Sequence, residues 1–169
     1  MEILTLGHPN LHRIAAEVTD FGSSDLLEDI TKLKSAMKLH SGMGIAAPQL
    51  GINRRLLLIH SKPNKRYPAA PHSDLMVLIN PQFTASIDEE SEWEGCLSVP
   101  GMRGLVSRAT EVSVSYQNPG GEKLHKNFEG FLARIFLHEF DHLEGMTFIN
   151  RVSDNSNLIS EVEYFRQYL

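Results

Sequence analysis

Between Asp25 and His40 the apolar residues Leu26, Ile30, Leu33 and Met37 recur three or four positions apart. That spacing predicts an amphipathic helix, with Asp25 and Glu28 as a capping pair at its start and Ser41-Gly42 as its stop. Arg55 to His60 is a short apolar run of the kind found in buried strands. Leu75 to Ile79 and Gln82 to Ile87 are strand-like on either side of Asn80-Pro81. Val112, Val114 and Tyr116 alternate with polar residues, Asn118-Pro119-Gly120-Gly121 turns the chain, and Glu122 to Phe128 returns as the second arm of a hairpin. A second helix is expected from Gly130 to Leu143, and a short C-terminal one from Leu158 to Tyr168. Phe131, Leu132, Ile135 and Phe136 make the second helix apolar enough to lie at the centre of the domain. Ser61 to Asp74, with three prolines and several charges, reads as an exposed loop. The expected fold is α+β, with antiparallel strands and a hairpin packed around a central helix and the other long helix outside. No composition shift marks a boundary, so residues 1–169 are expected to form a single domain.

Composition narrows the class without choosing a function. The net charge is -5, which argues against a protein that coats DNA or RNA through a basic face. No apolar stretch approaches the roughly 20 residues that cross a bilayer, and Met1-Glu2-Ile3-Leu4-Thr5 lacks the basic start of a signal peptide. A cytoplasmic location is the resulting expectation. The one cysteine, Cys96, has no partner in the chain for a disulfide, so it is either buried and inert or used as a thiolate.

The central helix also carries His138-Glu139-Phe140-Asp141-His142, an H-E-x-x-H pattern. Residues four apart on a helix lie one above the other, so both imidazoles can reach one ion and Glu139 can take a proton from water beside it. Catalytic metal sites of this kind usually have three protein ligands, and two histidines leave one to find. Cys96, in Glu94-Gly95-Cys96-Leu97-Ser98, is the better candidate, because Gly95 permits close approach and a thiolate with two imidazoles is a coherent ligand set. Glu161 and Glu163, some twenty residues downstream, are the alternative, but they lie in a polar terminal segment.

Gly42 to Gln49 (Gly-Met-Gly-Ile-Ala-Ala-Pro-Gln) lacks the lysine of a phosphate loop and the spacing of a dinucleotide fingerprint. It suits either a tight buried turn or a peptide laid alongside small residues, with Gln49 able to donate to a developing oxyanion.

Taken in order, Gly42 to Gln49, Glu94 to Ser98 and His138 to His142 resemble the three motifs of the peptide deformylases. The resemblance continues through Val99-Pro100-Gly101, Arg103, Arg108 and Leu143-Glu144-Gly145, and covers nearly the whole chain. It departs at Leu137, where bacterial members usually have glutamine, and at the loop Ser61 to Asp74, which is longer than in many members.

The resemblance implies one divalent ion on Cys96, His138 and His142, Fe2+ first with Ni2+, Co2+ or Zn2+ as substitutes. It implies Glu139 as proton carrier, with the Gln49 amide and the Leu97 N–H as oxyanion donors. It also implies N-formylmethionyl peptides and nascent chains as substrates, with transient ribosome contact, no DNA and no membrane. Met43, Gly44, Ile45, Gly95, Phe131, Ile135 and Arg103 are the implied substrate contacts, and Glu94 with Arg108 an ion pair bracing the cysteine loop. A zinc peptidase using Glu161, a thiol hydrolase using Cys96 and a silent formyl-peptide binder are the rival classes.

Overall fold

The computed structural model describes residues 2–64 and 67–168. Lys65 and Arg66 of the expected loop, together with Met1 and Leu169, lie outside the described residues.

Two antiparallel sheets enclose the helix that carries the H-E-x-x-H pattern. The first consists of β1 (Gly44–Ala46), β2 (Leu56–Ile59), β3 (Met76–Ala85), β6 (Glu111–Gln117) and β7 (Lys123–Glu129), hydrogen-bonded in the order β1-β2-β3-β6-β7. The second is β4 (Glu89–Cys96), β5 (Val99–Ala109) and β8 (Leu158–Ser160), in that order. Helix α1 spans Ser24–Leu39, α2 Gly130–Leu143 and α3 Glu161–Tyr168.

The four residues of β2 are all buried because a helix covers each face of the sheet there. Leu56 and Leu58 point to α1 and pack with Leu26, Ile30 and Leu33. Leu57 and Ile59 point the other way, towards Ala133, Phe136 and Leu137 of α2. Leu137 is therefore part of the sheet-facing core. Phe148, Val99 and Val106 close the second sheet beside Cys96.

Several sequence expectations need correction. Ser23, whose hydroxyl accepts from the Leu26 N–H at 3.1 Å, caps α1 in place of the Asp25–Glu28 pair. The two expected strands around Asn80-Pro81 are one strand with an irregularity, where Asn80 turns left-handed and clamps the Val18 backbone with its side chain at 2.9 and 2.8 Å. The expected C-terminal helix begins only at Glu161, because Leu158–Ser160 pairs with β5. Strands β4 and β5 carry no clear sequence signal: β4 is mostly exposed glutamate and serine, and β5 is interrupted by Pro100, Gly101 and Gly104.

Candidate metal centre

His138, Glu139 and His142 project from one face of α2, and Cys96 ends β4 opposite them. Metal-ligating atoms of Cys96, His138 and His142 lie within 4.8 Å of one another, and they are the one such group of three among the described residues. Cys96 Sγ is 3.2 Å from His142 Nε2. Glu161 lies elsewhere, accepting from Arg103 Nη2 at 3.0 Å, so the sequence alternative for the third ligand is not assembled. Burial works against a charged thiolate, but the imidazoles of His142 and His138 outweigh it and hold the Cys96 thiol well below its ordinary value.

His138 is oriented from behind. Glu94 Oε2 accepts from its Nδ1 at 2.9 Å, which leaves Nε2 for the site. Glu94 also accepts from Arg108 through both oxygens, at 2.9 and 3.0 Å, and from Arg134 Nη1 at 2.9 Å. Burial pushes the Glu94 carboxyl up, yet the hydrogen bonds from His138 and Arg108 overcome this and hold it well below the usual carboxylate range. Arg108 continues to Asp141 at 2.6 Å, and Asp141 is bound by Arg151 at 2.7 and 3.1 Å. The expected Glu94–Arg108 pair is thus the middle of a larger buried network. Arg134, Asp141 and Arg151 were not singled out from sequence, although an arginine among Phe131, Leu132, Ala133 and Ile135, one turn before His138, was a usable signal.

Gln49 is buried, and its amide orientation is fixed because Oε1 accepts the Ala46 N–H at 2.8 Å. Its Nε2 therefore faces Ser98 Oγ at 3.2 Å and Cys96 Sγ at 3.7 Å. Gly44 touches the Glu139 carboxylate so closely that a Cβ there would come within 2.5 Å of Oε1. Burial, partly offset by His138 and His142, pushes the Glu139 carboxyl up to about 7.

A cavity of about 90 Å3 opens onto this group. Met43, Gly44, Gly95, Leu97, Phe131 and Ile135, all expected at the site, line it. Ile45 does not. Alternation along β1 turns it away from its neighbours and into the core with α1, fully buried. Arg103 is also absent from the cavity wall. It is fully buried beneath Gly95, hydrogen-bonded to Tyr67 at 2.8 Å and to Glu161, and stacked on Tyr67 and Tyr164, so its side chain is not presented to the cavity as expected of a peptide contact. Tyr67, from the long loop, lines the cavity and was not anticipated.

The donor set fits a divalent cation. It offers one favoured thiolate and two imidazoles, with Glu139 Oε2 buried beside it and without a hydrogen-bond partner among the described residues. With a cation on this group, Glu139 and the Gln49 amide would stand beside it as proton carrier and hydrogen-bond donor, the arrangement of a metal-dependent hydrolase. Comparison with known proteins specifies the class: the family model for polypeptide deformylase matches residues 1–157, and the chain belongs to that family.

The chain is 42% identical over 165 residues to peptide deformylase 2 of Nostoc sp., covering 97% of this chain and 92% of the relative. It is 40% identical over 153 residues to peptide deformylase 1 of Bordetella pertussis, covering 90% and 87%. The Met-Ala-Ser-bound crystal structure of class I type b peptide deformylase from Acinetobacter baumannii superposes with a TM-score of 0.88 at 39% identity, covering 90% of this chain and 98% of that one.

Proposed function

We propose that this chain, acting as one domain over residues 1–169, hydrolyses the formamide at the N-terminal methionine of newly made polypeptides, releasing formate and a free amine. The observation that carries the reading is the convergence of Glu139 and the Gln49 amide on the Cys96–His138–His142 group at the end of one cavity. Cys96, His138 and His142 would hold one divalent ion, Fe2+ by family resemblance with Ni2+, Co2+ or Zn2+ as substitutes. Such an ion supplies Lewis acidity that brings the pKa of water towards neutrality.

The chain's own residues do the rest. β1 and β4 are each the edge strand of their sheet and both border the cavity, so Met43-Gly44 on one side and Gly95 on the other can receive the peptide as an added strand. The methionine side chain enters between Phe131, Ile135 and the ring of His138. Glu139 accepts the proton of the attacking water and delivers it to the departing nitrogen. The Gln49 N–H and the Leu97 backbone N–H donate to the formyl oxygen as it gains charge; one such donor is typically worth ~3 kcal/mol. Nascent chains in the cytoplasm, met through transient contact at the ribosome, are the corresponding substrates. The A. baumannii relative binds Met-Ala-Ser, the product that formyl-Met-Ala-Ser would leave here.

The test is anaerobic release of formate from formyl-Met-Ala-Ser, with and without a chelator; exclusion of oxygen protects the thiolate. Release that a chelator abolishes and Fe2+ or Ni2+ restores supports the proposal. Protein carrying a full equivalent of metal that releases no formate overturns it.

A further inference from the structure

Across the second sheet Gly95 is paired with Arg103, yet the next residue, Cys96, is paired with Val99. Pro100, Gly101 and Met102 therefore bulge out of the ladder, and the edge at Gly95 loses regular pairing on the cysteine side. β8 supports the bulged strand from its other side, where Met102 pairs with Ser160, Arg103 with Ile159 and Gly104 with Leu158. The next residue, Glu161, begins α3.

The Arg103 side chain extends this support beneath the strand. Its guanidinium lies so close to Gly95 that a Cβ there would come within 3.0 Å of Nε and 3.1 Å of Cζ. Nη2 donates to Glu161 Oε1 at 3.0 Å and Nη1 to the Tyr67 hydroxyl at 2.8 Å. The rings of Tyr164 and Phe165 have their centroids 4.7 and 5.7 Å from Cζ. A planar fork bonded at two corners and stacked on rings has little room to slide. Two residues back along β4, on the same face as Gly95, Trp93 meets Tyr164 and Tyr168 at 6.1 and 5.7 Å between ring centroids. α3 thus backs Trp93 and Gly95 together, although no described residue of β8 or α3 lines the cavity at the metal group.

We propose that α3 is a clasp for the peptide-receiving edge: acting through Arg103, it fixes the backbone at Gly95 and so sets the affinity for peptide from outside the cavity. Arg103 and Glu161 are positioning residues in this scheme. It rests on the deformylase reading above, in which the peptide adds to β4 at Gly95. An added strand bonds to backbone N–H and C=O groups, so its affinity depends on where the edge is held. Loosening the edge weakens ground state and transition state alike, which raises KM and leaves kcat in place.

The experiment pairs steady-state kinetics on formyl-Met-Ala-Ser with amide hydrogen exchange, both on metal-loaded protein. Glu161→Ala is expected to raise KM about tenfold, with kcat within about twofold and metal affinity unchanged. Exchange of the backbone amides of residues 93–97 is expected to quicken about tenfold, while the β6–β7 hairpin keeps its wild-type rates. Glu161→Gln keeps an oxygen where Arg103 needs an acceptor and is expected to return KM to within about twofold of wild type. Arg103→Lys keeps the charge but cannot lie flat under Gly95 and reach both partners, so its KM is expected to rise at least as far as that of Glu161→Ala.

Glu161→Ala protein with wild-type KM and wild-type exchange at residues 93–97 overturns the clasp. That variant changes a partly exposed side chain on a terminal helix, so it decides the matter even where Arg103→Lys fails to fold. A fall in kcat and metal affinity at unchanged KM also overturns it, since Arg103 would then brace Cys96 and not the peptide edge. Wild-type protein inactive on formyl-Met-Ala-Ser overturns the deformylase reading. A failed clasp leaves wild-type activity intact and amide exchange unmoved in Glu161→Ala, so the two failures are distinct.

Discussion

Glu94 grips the back of His138, with Oε2 accepting from Nδ1 at 2.9 Å, and the same carboxylate is fastened to Arg108 and Arg134. The tautomer and tilt of His138 are therefore set by a residue that does not belong to the ligand group. Partners of this kind usually tune metal affinity by about 10–100-fold.

Glu94→Gln preserves shape but removes the charge that Arg108, Arg134 and His138 share. Metal affinity is expected to fall by about 10–100-fold, read by competition with a chromophoric chelator. Glu94→Ala is expected to be worse, because it strands buried guanidinium groups; denaturant unfolding should show a loss of about 3–5 kcal/mol. Unchanged metal affinity in Glu94→Gln would mean that His138 is held by its own packing.

Gly44 and Glu139 cannot both keep their places if position 44 gains a side chain. A Cβ there would lie 2.5 Å from Oε1 and 2.7 Å from Cγ of Glu139. Gly44→Ala is expected to lower kcat by about 100-fold, the scale of a displaced general base, while the protein folds and retains metal. Steady-state kinetics alongside metal analysis checks this.

Gln49→Ala removes an amide whose Oε1 is fixed on the Ala46 N–H and whose Nε2 faces Cys96. Loss of an oxyanion donor is expected to reduce kcat by roughly 100- to 1000-fold with little change in KM. A rise in KM alone would recast Gln49 as a binding residue.

Burial raises the Glu139 carboxyl from 4.5 to about 7 in the metal-free protein. A carboxyl with a raised folded pKa favours the fold at low pH. Its contribution is fully present below about 4.5 and is lost as pH rises through about 7. With metal removed, Glu139→Gln is therefore expected to be more stable than wild type at pH 8, by at most about 3 kcal/mol, and equal to it at pH 4. Thermal melts at the two pH values decide the sign.

The legible parts of the molecule were those where one residue type has one use. His138, Glu139 and His142 share a helix face by spacing alone, and Leu26, Ile30, Leu33 and Met37 mark the buried stripe of α1 just as directly. What sequence left unreadable depends on tertiary context. Ile45 sits in a motif of small residues, and only the pairing of β1 with β2 decides which neighbours point to the cavity. Arg103 looks like a surface cation until Tyr67, from the long loop, and Glu161 and Tyr164, from the C-terminal helix, are seen to enclose it. Strand β4 reads as a run of acidic residues because its stability comes from pairing with β5 and not from an apolar face.

The central claim is that Glu139 moves the proton in a metal-supported hydrolysis. It is tested most directly by single-turnover formate release from formyl-Met-Ala-Ser by wild type and Glu139→Ala, each carrying one equivalent of metal under anaerobic conditions. The account predicts that the variant binds metal and peptide but forms formate at least about 100-fold more slowly. A fully metallated Glu139→Ala protein that works at the wild-type rate would contradict it.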